Sequence, residues 1–256
     1  MLPDSAGFEP LEPVIVPSPQ PPQPVREPFW GYLDLAWMVG IVIAGVVLLF
    51  GAAAVLLATS PGLARSGPFL LGIQFLFYGL VYLAFFLVFH FNYGRPVLAS
   101  LGWRRGALHL GTAALAGMAL AFALQPVLKV LHAPEVKSPI ELFTSDWVSL
   151  VLIALTAVLA APLFEELFFR GFLQPLLSRS LGTVLGVMIT GLLFGSMHLF
   201  EYANAWQYGV AIGLVGISLG AVRARSGSVI PSTVMHACFN SMSVIALIAS
   251  KVAKHQ

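Results

Sequence analysis

Charge is scarce in this sequence of 256 residues, and cysteine occurs once. Only 9% of the residues are Asp, Glu, Lys or Arg, whereas an ordinary soluble domain carries about a quarter. So few charges cannot cover a water-soluble particle of this size, which argues against a soluble globular protein. The formal net charge of +2 is too small to indicate a nucleic-acid partner, and the single Cys238 rules out an intrachain disulfide.

Apolar residues dominate instead, at 58% of the chain, and long apolar runs begin at Trp30. A membrane-spanning helix needs about 20 such residues. The sequence therefore predicts an all-α fold, a polytopic transmembrane helical bundle of about seven spans, with eight as the alternative. The seven candidate spans cover residues 31–59, 68–93, 107–131, 147–173, 181–200, 205–222 and 229–250.

Three regions follow from this organisation. Residues 1–30 form a proline-rich tail that we expect to be disordered, since 9 of the 18 prolines lie in the first 28 residues. The tail has no basic start followed by an apolar run, which argues against a cleavable signal peptide. Residues 31–146 hold the N-terminal transmembrane helices, and residues 147–256 hold the helices that carry the unusual charges described below.

The distribution of Lys and Arg predicts how the spans are oriented. With seven spans, the side that holds the N-terminus carries seven basic residues and the opposite side carries four, so we expect a cytoplasmic N-terminus. If one span is miscounted, the C-terminus changes sides. The seven residues are Arg26, Arg95, Arg104, Arg105, Arg179, Arg223 and Arg225. Four tryptophans fall near predicted span ends, where amphipathic rings prefer to lie: Trp30, Trp103, Trp147 and Trp206.

Three charged residues lie well inside the fourth candidate span. A charge at the bilayer centre costs roughly 2.5–3.5 kcal/mol on insertion scales, so such residues usually face a cavity or a partner. Glu166 and Arg170 are four residues apart, and we expect them to pair on one helix face. Glu165 is turned about 100° away, which leaves it as the free carboxylate and suits it to accept a proton from water. Pro162, just upstream, should kink the helix.

Two later spans carry polar residues at one-turn spacing. Phe194 shares a helix face with His198, and His236 shares one with Asn240. If the three helices face one another, their polar groups form a small chamber inside the apolar spans. Each residue alone has a simpler explanation, because a single histidine often packs in a core and an asparagine can link helices. Their coincidence with the buried charges favours a shared functional site.

These residues form three motifs in order: Glu-Glu-x-x-x-Arg at 165–170, Phe-x-x-x-His at 194–198 and His-x-x-x-Asn at 236–240. Together they resemble the motifs of the CAAX prenyl endopeptidase and bacteriocin-processing (CPBP, or Abi) family of intramembrane proteases. The resemblance covers residues 147–245 and marks residues 147–256 as a catalytic core of the CPBP type. Upstream, the sequence at 101–105 is similar to a basic stretch often seen before the core in bacterial members.

The resemblance implies an integral protein of a bacterial inner membrane that hydrolyses a peptide bond in a peptide or lipidated-peptide substrate. Glu165 would be the general base, and His198 would help to hold and activate the water. His236 and Asn240 would donate hydrogen bonds to the oxyanion. The supporting residues would be Glu166 and Arg170, which set the helix geometry and local field, and Phe194, which forms a packing wall.

The sequence favours a reaction without a metal cofactor, because it contains no His-Glu-x-x-His pair and Asn240 suits an oxyanion hole better than a metal site. Zinc stays as the alternative, with Glu165, His198 and His236 as ligands and water as the fourth. Two other function classes also stay open. One is a catalytically silent immunity or scaffold protein, and the other is a proton-coupled transporter, since intramembrane Glu and His also build proton relays.

Overall fold

A computed structural model describes residues 27–136 and 147–253 of the chain, and within these ranges it contains helices and no strands. Residues 1–26 of the predicted proline-rich tail lie outside the described residues. The helices are α1 (Tyr32–Thr59), α2 (Gly67–Tyr93), α3 (Val97–Ser100), α4 (Leu110–Val130), α5 (Trp147–Leu181), α6 (Thr183–Met197), α7 (Trp206–Ser226) and α8 (Val229–Ala253). Two short 3₁₀ turns cover Pro61–Arg65 and Leu199–Tyr202.

Six helices of the described chain, all but α3 and α6, are long and apolar enough to cross a membrane. Helix α6 has 15 residues, which at 1.5 Å per residue gives about 22 Å, less than the roughly 30 Å of a bilayer core. Each of the seven predicted apolar runs thus forms a helix, and the prediction of a polytopic all-α bundle is confirmed. The fifth run, at 181–200, is the one whose helix is shorter than a full span.

The outward faces of the helices are strongly apolar, as a lipid-facing surface requires. Leu33 and Leu48 on α1 are 72% and 74% exposed, and Phe91 on α2 is 72% exposed. Exposed apolar surface of this extent would be unfavourable in water but is well solvated by hydrocarbon chains. The chain is an integral membrane protein.

Side-chain contacts show which helix ends lie together. Tyr32 Oη donates a hydrogen bond to Ser180 Oγ at 2.8 Å, so the start of α1 meets the end of α5. At the opposite end, Lys251 Nζ lies 5.1 Å from the centre of the Trp147 ring, so the end of α8 meets the start of α5. We call the first of these the arginine-rich end, because it carries Arg95, Arg104, Arg105, Arg179, Arg223 and Arg225.

Glycines allow two pairs of helices to approach closely, as the many small residues in the spans suggest. A Cβ atom on Gly117 of α4 would lie 2.1 Å from the Met235 carbonyl oxygen of α8. A Cβ on Gly195 of α6 would lie 2.2 Å from the Gly209 carbonyl oxygen of α7. Both distances are far below van der Waals contact, so these positions need glycine for the backbones to meet.

Trp30 lies just before α1, near a span end as expected, but its ring is buried in the protein and is not exposed at the membrane surface. Its side chain is 2% exposed, its ring stacks on Phe172 with centroids 5.6 Å apart, and its Nε1 donates a hydrogen bond to the Phe172 carbonyl at 3.2 Å. The carbonyl on α5 satisfies the indole N–H inside the protein, which lets the large apolar ring join the core.

Candidate active site

Helix α5 carries both predicted carboxylates and departs twice from regular α-helical geometry. Its segments Thr156–Ala160 and Leu167–Leu173 are π-helical, and the six-residue α segment between them holds Glu165 and Glu166. Pro162 is the second residue after the first π segment. Proline cannot donate a backbone hydrogen bond, and a widened turn is one way for a helix to accommodate that loss. The glutamates therefore lie on a short α-helical segment, and the two flanking π turns determine which way their side chains face.

Glu166 and Arg170 form the pair that their spacing predicted. Arg170 Nη1 lies 2.9 Å from Glu166 Oε1, and neither side chain is accessible to solvent. Arg170 Nη2 also donates a hydrogen bond to the Gly216 carbonyl of α7 at 2.9 Å. Its guanidinium carbon stands 4.5 Å from the centre of the Phe194 ring of α6. One buried arginine thus connects α5, α6 and α7.

His236 lies between the two carboxylates. Its Nδ1 is 3.1 Å from Glu166 Oε1, and its Nε2 is 3.7 Å from Glu165 Oε2. Because Nδ1 must carry the hydrogen to bond a carboxylate, the neutral ring presents Nε2 as an acceptor. A donor role for Nε2 toward an oxyanion therefore requires the doubly protonated ring.

Glu165 differs from its neighbour in exposure. Its side chain is 24% accessible, whereas Glu166 is fully enclosed. The 3.7 Å between Glu165 and the His236 ring exceeds a direct hydrogen bond. A water molecule can bridge polar groups at such a separation. Glu165 is thus the carboxylate that an incoming molecule can reach.

His198 is the C-cap residue of α6. Its Nδ1 lies 2.8 Å from the Phe194 carbonyl oxygen, so this nitrogen is the donor and Nε2 of the neutral ring is left as an acceptor. The Phe194 ring is 1% exposed and packs against both histidines, 4.6 Å from the His198 ring and 5.6 Å from the His236 ring. Phe194 therefore fixes the positions of both imidazoles, which matches a packing-wall residue.

Asn240 reaches from α8 to the first π segment of α5. Its Nδ2 donates a hydrogen bond to the Ala157 carbonyl at 2.8 Å. The amide nitrogen has two hydrogens, so one of them is left for another acceptor. Asn240 thus links α8 to α5 and keeps one amide N–H donor for a ligand in the cavity.

Glu165, His198, His236 and Asn240 line one cavity of about 1090 Å³. Its wall also contains residues from the first turns of α2 and the last turns of α4 and α8, so it lies in the half of the bundle opposite the arginines. Apolar residues such as Leu70, Phe122, Leu128 and Phe239 make up much of the lining. The structure thus brings the four predicted catalytic residues to a common space, while Glu166 and Arg170 lie behind it.

The cavity has polar lining residues that the sequence did not single out. They include Gln74, Tyr78, Glu201, Tyr202 and Tyr208. Glu201 follows the fifth predicted span, and the 3₁₀ turn after α6 brings it to the cavity. Burial and the nearby Glu201 charge raise the pKa of Tyr202 to about 12, so its hydroxyl stays a donor at neutral pH. Its ring stacks on Tyr208 with centroids 4.5 Å apart.

The zinc alternative would need Glu165, His198 and His236 to converge on one point. Within residues 27–136 and 147–253, no group of three His, Cys, Asp or Glu side chains is arranged to hold a metal ion. A protein zinc site needs at least three such ligands at about 2 Å from the metal. Glu165, His198 and His236 share the cavity without forming such a set.

Residues 147–242 match the family model described as type II CAAX prenyl endopeptidase Rce1-like. The matched segment runs from the start of α5 into α8 and includes all seven predicted site residues. No curated protein and no solved structure matches the chain.

Proposed function

We propose that this chain is an intramembrane endopeptidase, because residues 147–242 match the family model described as type II CAAX prenyl endopeptidase Rce1-like. One observation carries the proposal beyond the family match. Side chains from three helices, Glu165 of α5, His198 of α6 and His236 of α8, line the same cavity within the apolar bundle. Buried ionisable groups that share a cavity between spans are costly and typically functional.

Glu165 activates the attacking water in this proposal. Its carboxylate accepts a proton while the water oxygen attacks the carbonyl carbon of the scissile peptide bond, which forms a tetrahedral oxyanion. When the carbon–nitrogen bond breaks, the same proton passes to the leaving amine. The acceptor Nε2 atom of His198 can hold one of the water's hydrogens before attack. No metal takes part in this scheme.

Asn240 and His236 stabilise the oxyanion. The second amide hydrogen of Asn240 is available without any change of protonation. His236 donates from Nε2 only when its ring is doubly protonated, and the adjacent Glu166 carboxylate would stabilise that cation. Preorganised donors of this kind are commonly the largest single contribution to acyl-transfer catalysis. Glu166 and Arg170 act as positioning residues.

The substrate in this proposal is a peptide or lipidated peptide, because the cavity combines a polar catalytic corner with a large apolar lining. Such a lining accommodates an apolar segment or a lipid chain that arrives from the bilayer. We place the protein in a bacterial inner membrane with its N-terminus in the cytoplasm. The Lys and Arg distribution supports that orientation.

The test compares cells that carry the wild-type chain with cells that carry Glu165→Gln, which keeps the side-chain shape and removes the base. Membrane peptides that accumulate only in the variant are substrate candidates. The purified wild type in lipid nanodiscs should then cleave them, with a loss of about 10²–10⁴-fold in Glu165→Gln. Glu135→Gln is the matched control, since Glu135 is exposed and does not line the cavity.

Full cleavage activity in Glu165→Gln would disprove the proposed mechanism. Rescue of a cellular phenotype by Glu165→Gln, without any cleavage difference, would favour the scaffold alternative. Substrate flux into sealed vesicles without hydrolysis would favour the transporter.

A further inference from the structure

A second cavity, of about 540 Å³, lies at the arginine-rich end of the bundle. Residues 27–30, just before α1, form one wall. The connection from α2 through α3 and the last turns of α5 and α7 form the rest. The cavity is thus separate from the catalytic residues and lies where four elements of the chain converge.

Four guanidinium groups line this cavity, from Arg95, Arg104, Arg179 and Arg223. Glu27 is its acidic lining residue among those that the structure describes. Within the described part of the chain, none of the four arginines has a carboxylate within 4 Å. Four clustered cations against one lining carboxylate leave an excess of positive charge, which favours an anion in the cavity.

Existing contacts fix three of these arginines and leave donors free. Arg179 Nη1 donates to the Pro28 carbonyl at 2.5 Å, and Arg104 Nε donates to the Gly227 carbonyl at 3.2 Å. Arg223 Nε donates to the Arg170 carbonyl of α5, also at 3.2 Å. A guanidinium has five N–H donors, so most remain for a ligand. The fourth, Arg95, stacks over the Phe29 ring at 5.0 Å.

The cavity lies at the level of a membrane surface. Arg95 follows the last residue of α2 by two positions, and Arg179 precedes the last residue of α5 by two. Lipid-facing residues stand in the adjoining helical turns, with Leu33 at the start of α1 and Phe91 at the end of α2. A ligand whose anionic part sat in the cavity could therefore extend an apolar part along α1 and α2.

We propose that this cavity binds the phosphate-bearing headgroup of an anionic phospholipid. The planar guanidinium forms paired hydrogen bonds to phosphate oxygens, which makes several converging arginines a phosphate site. Basic pockets between transmembrane helices bind anionic lipid headgroups for the same reason. The proposal does not depend on proteolysis. It accounts for Arg104 of the basic stretch at 101–105 and for the segment 27–30, neither of which the catalytic site uses.

The test titrates phosphatidylglycerol onto the full chain in a neutral detergent and measures bound lipid by native mass spectrometry, with Tm as a second readout. Phosphatidylcholine and soluble glycerol phosphate are the comparison ligands. The variant is Arg95→Gln combined with Arg104→Gln. Each basic residue near a surface contributes about a factor of five to anionic-lipid binding, so affinity should fall roughly 30-fold. The matched control combines Arg105→Gln with Arg225→Gln, exposed arginines of the same end that do not line the cavity.

Selective phosphatidylglycerol binding that is lost in the first variant and kept in the control supports the proposal. Equal loss in both variants would show general surface attraction and would overturn it, as would unchanged binding in the first variant. Glycerol phosphate that binds as tightly as the lipid would assign the cavity to a soluble phosphate instead. If the double variant fails to fold, the single variant Arg95→Gln provides the test, because it breaks no hydrogen bond to the backbone. It should weaken phosphatidylglycerol binding about fivefold.

Discussion

Replacement of Arg170 by methionine would remove one half of a fully buried ion pair while keeping a side chain of similar length. Glu166 would lose the guanidinium 2.9 Å from its Oε1 and would stay enclosed, with His236 as its polar neighbour. The hydrogen bond to the Gly216 carbonyl would also be lost.

The expected destabilisation is large because it comes mainly from the charge left behind. Removing one partner of a buried pair typically costs roughly 3–5 kcal/mol. If Glu166→Gln is added to Arg170→Met, both charges are gone, and the main remaining loss is the hydrogen bond to the Gly216 carbonyl, which keeps its backbone partner within α7. The loss of one hydrogen bond costs about 0.5–1.5 kcal/mol, so the double variant should be more stable than Arg170→Met alone.

Reversible unfolding in lipid bicelles, driven by sodium dodecyl sulfate, measures these free energies. Arg105→Gln serves as the control for loss of a surface arginine and should change stability by less than about 0.5 kcal/mol. The reasoning would be refuted by a double variant as unstable as Arg170→Met, because the uncompensated charge would then not be the cause. A free energy of unfolding for Arg170→Met within about 1 kcal/mol of the wild-type value would refute it as well.

Two further predictions concern close helix packing at glycine and the metal dependence of cleavage. Gly195→Ala should lower the unfolding free energy by about 1–3 kcal/mol, because its Cβ would clash with the Gly209 carbonyl at 2.2 Å. Gly51→Ala, with no neighbouring atom within 4 Å, should be neutral or stabilising by up to about 1 kcal/mol, and an equal loss in both variants would contradict the packing argument. Peptide cleavage should survive exhaustive chelation, with no metal in the purified protein by elemental analysis; activity that is lost and then restored by zinc would reverse this proposal.

Local spacing in the sequence was enough to predict the helices and the pairing of the buried charges. Apolar runs of sufficient length leave no alternative to a helix in lipid, because backbone groups must be satisfied within the segment. Glu166 and Arg170 are close in sequence, so their contact depends on one helix alone. The convergence of Glu165, His198 and His236 on one cavity agrees with the sequence prediction, whereas their chemical roles stay predictions.

Hydrogen bonds from side chains to backbone carbonyls could not be predicted from the sequence. Asn240 binds the Ala157 carbonyl and Trp30 binds the Phe172 carbonyl, and both acceptors lie in π segments of α5. A widened turn changes the hydrogen-bond register of a helix without changing its apolar pattern, so periodicity does not reveal it. Glu201 was missed because a short 3₁₀ turn, and not a span, brings it to the cavity.

The cavity that holds Glu165 lies toward one end of the bundle and the arginines cluster at the other, so the two membrane surfaces meet different chemistry. If Glu165 is the proposed base, a soluble substrate has a shorter path to it from the side opposite the arginines. Molecules inserted in opposite directions in a vesicle would then not be equivalent, because added soluble substrate would reach Glu165 faster in one population than in the other. In the proposed protease, the direction of insertion would thus decide which compartment supplies such substrates.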